Sequence, residues 1–307
     1  MLAALALATS IQASAAALST NARMAIPYEV QQIIQVDYRA LNSSQAGLAL
    51  KNKVMPEQLK TLEESLRKAG LNDTEDVDNL TFALFRGKAN GLYLVGIAQG
   101  NIPERKLLAT MKKRKVKPTK YRDSQIYPLT GSSFAFSMLD DSTMLFGDQG
   151  AVKQALDARD GETRNVNYNS AITDQLASVS SEPIWSILDA AGTQNMVKSA
   201  LGEASGLADY ETVKKRLLGS HYVMDFNSGV KFKLDVKSSD SFTASTLSSL
   251  MRAGALYKRM GATGAEKSAL DSMTIDSSGS DLLVKFESDD QKFMSLLNSP
   301  MFQAVSR

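Results

Sequence analysis

The feature that most constrains this chain is a unit that occurs four times: strand, tight polar turn, strand, then a helix. Residues 133–158 show it most fully. Phe134, Phe136 and Met138 alternate, Asp140 and Asp141 turn the chain, and Met144 and Phe146 return. Val152, Ala155 and Leu156 then form the apolar face of a helix that Asp148 is placed to cap. A second copy has Leu80, Phe82 and Leu84 in alternation, a turn over 87–91 and a more apolar strand over 92–98. Its helix has Asn101 as the expected cap, Pro103 near the first turn, and Leu107, Leu108 and Met111 facing inward.

The third copy has the cleanest alternation. Tyr222, Met224 and Phe226 precede an Asn227-Ser228-Gly229 turn, after which Val230, Phe232, Leu234 and Val236 alternate with Lys231, Lys233 and Asp235. Period-two alternation with charges opposite predicts a sheet with one wet face. Asp240 is placed to cap a long helix carrying Leu247, Leu250, Met251, Gly254 and Tyr257 on its inner side. The fourth copy runs from Met273 and Ile275 through a Ser-Ser-Gly turn to Leu282, Val284 and Phe286. Asp289 or Asp290 then caps a helix with Phe293, Leu296 and Leu297.

Two further elements organise the chain. Residues 28–38 place Ile34, Val36 and Tyr38 in alternation, which reads as a strand, although the VQQII run also suits a helical turn. Pro56 opens a helix with Leu59, Leu62 and Leu66 on one stripe and Gly70 as its C-cap. Glu57, Glu63 and Glu64 toward its start and Arg67 and Lys68 toward its end complement the helix dipole. Residues 157–169 are polar with no apolar period and mark a boundary. The expected organisation is a leader over 1–24, a first α+β half over 25–161 and a second over 168–307. Each half is expected to be an antiparallel sheet covered by helices. Four copies of so common a unit are also compatible with no duplication at all.

The VDYRAL segment, the LDDSTMLFG hairpin running into AVKQALDARDG, and the run DYETVKKRLLGSHYVMDF carry a resemblance. Together they are similar to a group of uncharacterised exported bacterial proteins with repeated strand–turn–strand–helix units. The resemblance implies the architecture and export. It lends no activity and no site residue.

Export has its own signal in the sequence. Residues 2–11 are a short apolar run of the length of a signal-peptide core, and Ala13-Ser14-Ala15 is a small-residue cleavage pattern, although nothing charged precedes Arg23. The expected location is the periplasm or cell envelope, with no membrane span after the leader, because no other segment approaches the roughly 20 apolar residues a span needs. A net charge of +2 gives no push toward nucleic acid. The absence of cysteine removes thiol nucleophiles and thiolate metal sites.

The remaining chemistry is thin. His221 is the single histidine, and a Ser-His-Asp arrangement through Ser220 would need it to lie between hydroxyl and carboxylate. Asp140-Asp141, Asp289-Asp290, and Asp276 with Asp281 read as turn and cap residues without calcium-loop spacing. Asp189, Asp209 and Glu211 read as helix-start residues. Lys112, Lys113, Arg114, Lys115 and Lys117 form the one basic tract, either an anion-contacting surface or a solvated helix end. Methionines on apolar faces suit adaptable core filling or a pliable hydrophobic groove.

The expected function is therefore a non-enzymatic exported envelope protein with a binding or scaffolding role and no cofactor. Its partner would be a protein, lipid or small molecule of the envelope. The alternatives are a carboxylate-based hydrolase, which needs only two carboxyl groups, and a hydrophobic-ligand carrier in the periplasm.

Overall fold

The structure, a computed structural model, describes residues 18–307 apart from 88–90, 130–132, 203–205, 207–209, 263, 301 and 303–307. A short helix, α1 (Thr20–Met24), leads into β1 (Val30–Asp37), followed by α2 (Tyr38–Ser43), α3 (Gln45–Val54), α4 (Glu57–Ala69) and α5 (Asp73–Asp76). The pair β2 (Val77–Arg86) and β3 (Leu92–Gly100) precedes α6 (Glu104–Lys113). Two hairpins come next, β4 (Thr119–Tyr121) with β5 (Ser124–Pro128), and β6 (Phe134–Asp140) with β7 (Thr143–Asp148). After α7 (Gln149–Arg159) and α8 (Ser170–Val179) come β8 (Ile184–Leu188), α9 (Ala190–Leu201) and α10 (Tyr210–Lys214). The hairpin β9 (Leu217–Asp225) and β10 (Val230–Ser238) runs into α11 (Ser241–Gly261) and α12 (Gly264–Ser272). The chain then forms β11 (Thr274–Ser278), β12 (Asp281–Ser288) and α13 (Asp290–Leu297).

Among the described residues the strands form one twelve-stranded antiparallel sheet in the order β11-β12-β10-β9-β8-β1-β2-β3-β7-β6-β5-β4. The expectation of a separate sheet in each half gives way to this single sheet. β1 and β8 pair side by side, Gln35 opposite Trp185 and Ile33 opposite Ile187, so backbone hydrogen bonds cross the boundary. The polar stretch after α7 is likewise no loose linker. Tyr28 N donates to the Arg164 carbonyl at 3.0 Å, Val166 N to the Ile26 carbonyl at 2.8 Å, and Val166 is fully buried. The folded core also begins before residue 25. Ser19 Oγ accepts from Ala22 N at 3.2 Å to cap α1, and Ala22, Ala25 and Ile26 are completely buried. Of the expected leader, 1–24, residues 1–17 lie outside the described residues, with the apolar run 2–11 and the Ala13-Ser14-Ala15 pattern among them.

Cross-strand register sorts the side chains onto two faces. One face carries Ile33, Ala83, Phe85, Ile97, Leu145 and Trp185 under α1, α7 and α8. The other carries Phe136, Met144 and Phe146 under α4 and α6, and Leu234, Val236 and Val284 under α9 and α11. Burial on both sides explains why β2 reads differently from its expected alternation. Val77, Asn79, Thr81, Ala83 and Phe85 are its buried positions, while Leu80, Phe82 and Leu84 are only partly covered. In β10 the expectation holds: Lys231 and Lys233 are exposed opposite buried Val230 and Leu234, because no helix covers that face there. Its turn takes Ser228 and Gly229 into the left-handed region, at φ 61° and 103°.

The caps are mixed. Gly70 closes α4 in the left-handed conformation at φ 104°, and Asp240, Asp189 and Asp289 accept first-turn amides of α11, α9 and α13 at 2.6–2.8 Å. Asn101 does not cap α6, which starts one residue after Pro103, and Asp148 sits at the N-cap of α7 without a side-chain bond. Tyr38 opens α2 instead of ending β1, because Asp37 accepts from Ala40 N at 2.9 Å and turns the chain into helix.

One glycine sets how tightly the central strands pack. Gly96 on β3 stands between Phe82 on β2 and Phe146 on β7 in register. The Phe146 ring lies across it, so an added Cβ would come within 2.1 Å of that ring. The two aromatic rings meet edge to face at 6.1 Å over the bare backbone. Gly96→Val is expected to drive Phe146 out of its rotamer and cost about 3 kcal/mol. A urea denaturation midpoint unchanged in the variant would refute this packing account.

Candidate functional site

The long helix α11 builds the most ligand-like feature. Asp240 fixes its start, and Thr243, Ala244, Leu247 and Ser248 seat its first half on the sheet. Beyond Met251 the inner face becomes small. Gly254 and Ala255 leave space that α9, α12, α13 and β11 do not fill. The result is a half-open groove of roughly 250 Å³ lined mainly by apolar side chains, among them Leu201, Met251, Leu270, Met273 and Ile275. Lys258 is the charged residue in the lining among the described residues. Arg252 is drawn away, its Nε donating to the Ile275 carbonyl at 2.6 Å and its guanidinium reaching Asp276 at 2.7 Å. Tyr257, expected to face inward, is instead 70% exposed, because it lies a quarter turn past the buried stripe.

Other concavities have different chemistry. Beneath α4 lies an apolar cavity of about 60 Å³ lined by Leu59, Leu62, Phe82 and Met144 and closed on one side by Tyr38, Glu63 and Asp73. A more polar cleft of about 480 Å³ at the end of β1 and β2 holds Glu29, Arg86, Asp157 and Arg164. Asp157 is buried and already accepts from Tyr121 Oη at 2.7 Å and Arg122 Nε at 2.9 Å. That carboxylate therefore serves to hold the β4–β5 hairpin against α7.

His221 Nδ1 lies 3.2 Å from Gln175 Oε1 on α8, and its cross-strand partner is Asp235. Ser220, its neighbour, points to the opposite face and shares a hydrogen bond with Thr193 Oγ1 at 2.8 Å. The hydroxyl and the imidazole are thus on opposite sides of β9 and form no relay. Burial lowers the His221 pKa, an effect only partly offset by the nearby Asp235 carboxylate, and burial raises that of Asp235.

The acidic residues take structural roles. Asp140 accepts from Asn21 Nδ2 at 2.7 Å and from Ser142 N at 2.9 Å. Burial alone would raise its pKa, but these bonds bring the net shift downward. Asp240 is held down to about 2 by the Thr243 amide and the Ser239 hydroxyl. Glu211 lies on α10 within 3.8 Å of Lys214, and Asp209 is outside the described residues. Among the described residues no three His, Asp or Glu side chains are grouped to hold a metal ion.

The basic tract occupies the end of α6 and the turn after it. Lys112, Lys113, Lys115 and Lys117 are exposed, and Lys115 takes a left-handed φ of 56°. Arg114 differs from the rest, donating to the Lys68 carbonyl at 2.8 Å and so covering the C-terminal end of α4. Lys112 lines a shallow concavity beside Val116 and Tyr127.

A polar cluster that sequence reasoning did not find lies where α2, α3, α4 and α5 meet. The Tyr38 hydroxyl lies 2.9 Å from Asp73 and 3.0 Å from Glu63. Lys51 bonds that hydroxyl and reaches Glu63 at 2.8 Å and Asp73 at 3.6 Å, while Arg67 closes on Asp73 at 2.9 Å. Burial pushes the Asp73 carboxyl upward, yet the bonds from its partners and the Lys51 charge hold it well below the usual carboxylate range. Burial and the two carboxylates push the Tyr38 hydroxyl far up.

No protein family and no curated relative matches the chain. Among solved structures it is similar to TP0453. Crystal form III of that protein aligns over 90% of this chain and 96% of that one, with a TM-score of 0.52 and 8% identity. Crystal form I aligns over 94% and 99% with a TM-score of 0.49 and 9% identity. The likeness to form III is one of fold and covers most of the mixed α and β architecture. No helix among the described residues is long and apolar enough to cross a membrane.

Proposed function

We propose that this chain is an exported, non-enzymatic binding protein of the cell envelope whose ligand site is the groove behind α11. The groove carries the reading: it is apolar, open on one side, and made by Gly254 and Ala255 where larger residues would have closed it. Benzene occupies an engineered cavity of about 150 Å³, so roughly 250 Å³ suits an aromatic ring or short acyl chain. Lys258 at the lining favours a ligand with an anionic end. Removal of residues up to Ala15 would leave Ser19 and α1 in place, which is compatible with export. The engaged state of Ser220 and Asp157 favours binding over hydrolysis.

The same reading includes two similar halves. From the β1–β8 seam outward, each side runs single strand, hairpin, then a second hairpin whose later strand lies inside: β1-β2-β3-β7-β6 and β8-β9-β10-β12-β11. The correspondence has departures. The first half adds β4 and β5, and α7 packs on the opposite face of the sheet from α13.

An anionic, environment-sensitive dye such as anilinonaphthalene sulfonate tests the ligand site. Gly254→Trp places an indole in the groove and is expected to weaken dye binding at least about tenfold, equivalent to about 1.4 kcal/mol. Lys60→Gln, at a surface position on α4 outside the groove lining, is expected to leave it unchanged. Equal binding by wild type and Gly254→Trp would remove the groove as the site.

A further inference from the structure

The outward face of α11 is distinct from the groove and stands or falls separately from the ligand reading. At 100° per residue, Phe242, Ser245, Thr246, Ser249, Ala253, Leu256, Tyr257 and Met260 fall within about 60° of one line along the helix. None of them is ionisable near neutral pH. Phe242 is 75% exposed and Met260 83%, so among the described residues no element shades either end of the stripe; Leu256 and Tyr257 are exposed as well. The arginines beside the stripe are turned off it, Arg252 toward Asp276 and Arg259 toward Asp271 at 2.6 Å.

The geometry points to this stripe as a two-fold interface in which α11 of one copy packs antiparallel against α11 of a second copy. The order of residue sizes carries the inference. In an antiparallel pair centred on position 251, the two-fold keeps each residue on its own flank, so Ser245 faces Leu256 of the other copy on one side, Thr246 faces Tyr257 on the other, and Ser249 meets Ala253 across the centre. Every mid-sized or large residue of the inner stripe thus meets a small one. Phe242 faces Met260 at the two ends, where helices that cross at an angle diverge and need larger side chains to stay in contact. Ser249 and Ala253 at the centre permit the close approach such a crossing requires.

Charge and area agree with a second copy. An anionic lipid surface is ordinarily met by free cations flanking an apolar face, whereas Arg252 and Arg259 are committed to ion pairs. The four large side chains expose on the order of 500 Å² per copy, and a pair would bury about 1,000 Å² before the small residues are added. That is the lower bound for a specific interface and describes a reversible dimer. The contact is isologous and closes without leaving an open end.

Sedimentation velocity of the full chain across a concentration series tests this directly. The expected result is a rise from the 33.2 kDa monomer mass toward twice that value. Ala253→Arg, at an exposed helical position, should keep the far-ultraviolet circular dichroism and raise the dimer dissociation constant at least about tenfold. Because the chain has no cysteine, register can be read by oxidation. Ser249→Cys mixed with Ala253→Cys should give a disulfide-linked pair, and Ser249→Cys mixed with Met260→Cys should not. A monomer at every concentration would overturn the inference, as would a dimer indifferent to Ala253→Arg. A monomer that floats with phosphatidylcholine vesicles through Phe242 and Met260 would overturn it too, assigning the face to lipid.

Discussion

Asp73→Ala is expected to destabilise the protein by about 3 kcal/mol, since removing one member of a buried ion pair leaves the other charge unpaired. Asp73 is 8% exposed and Lys51 sits in the same pocket, so water cannot replace the lost carboxylate. Glu63 remains beside Lys51 at 2.8 Å, which keeps the expected cost at the lower end of the usual range. For a chain of 307 residues the loss corresponds to roughly 5 °C in melting temperature by calorimetry. Adding Lys51→Met should recover part of it, because an apolar side chain needs no counter-charge, and a double-mutant cycle would read the coupling. The pH dependence has a definite sign. The folded Asp73 carboxyl titrates below its unfolded value near 4, so its contribution is complete above about pH 4 and is lost as pH falls below that. Tyr38 has the opposite sign: its raised hydroxyl contributes below about pH 10 and loses that contribution as pH rises further. Asp73→Ala should therefore flatten the acid limb of the stability profile. An acid limb identical to wild type would show that the cluster does not link folding to protonation.

This cluster also shows where the sequence stops being informative. Glu63 and Arg67 are four apart on α4 and fit a solvated helix whose charges complement its dipole. Nothing local tells that Glu63 turns inward to meet Tyr38 and Lys51, which come from two other helices. Elements whose signal is local were legible: the β6–β7 and β9–β10 hairpins, the Gly70 cap, and Asp240 at the head of α11. The parity of β2 was not, because polar Asn79 and Thr81 occupy its buried positions while Leu80, Phe82 and Leu84 are only partly covered, so apolar alternation points to the wrong face. Nor was the placement of β7 beside β3, a pairing across about fifty residues that no short-range pattern encodes. The α11 groove was half legible. Gly254 and Met251 were on the expected inner face, but the void depends on Ala200, Leu270 and Leu296 arriving from elsewhere without filling it. A stripe of small residues late in a long helix was the available signal.

The seam between β1 and β8 sets the other large expectation. Trp185 is 1% exposed on β8, flanked in register by Gln35 on β1 and Val223 on β9. It packs in the core that α1, α7 and α8 share with the sheet. Trp185→Ala should cost about 3–5 kcal/mol through lost burial and the cavity left behind. Trp185→Phe should cost distinctly less, since the indole Nε1 is buried with no partner and its removal relieves that penalty. The seam also bears on whether 25–161 and 168–307 behave as separate bodies. Backbone pairing from residue 32 to 36 ties the two sides, and the same strands lie within one shared core. Unfolding either side alone would expose β1 or β8 as a bare apolar edge, so the two sides should melt together. As the sole tryptophan, Trp185 reports the seam by fluorescence, while circular dichroism reports all helices and strands. The two urea transitions should coincide in wild type, and in Trp185→Phe, which has no indole to follow, the circular dichroism transition should remain a single step and move to lower urea. A circular dichroism phase that precedes the loss of the Trp185 signal would instead mean that one side unfolds while the seam persists, and the shared core would then be too weak to couple them.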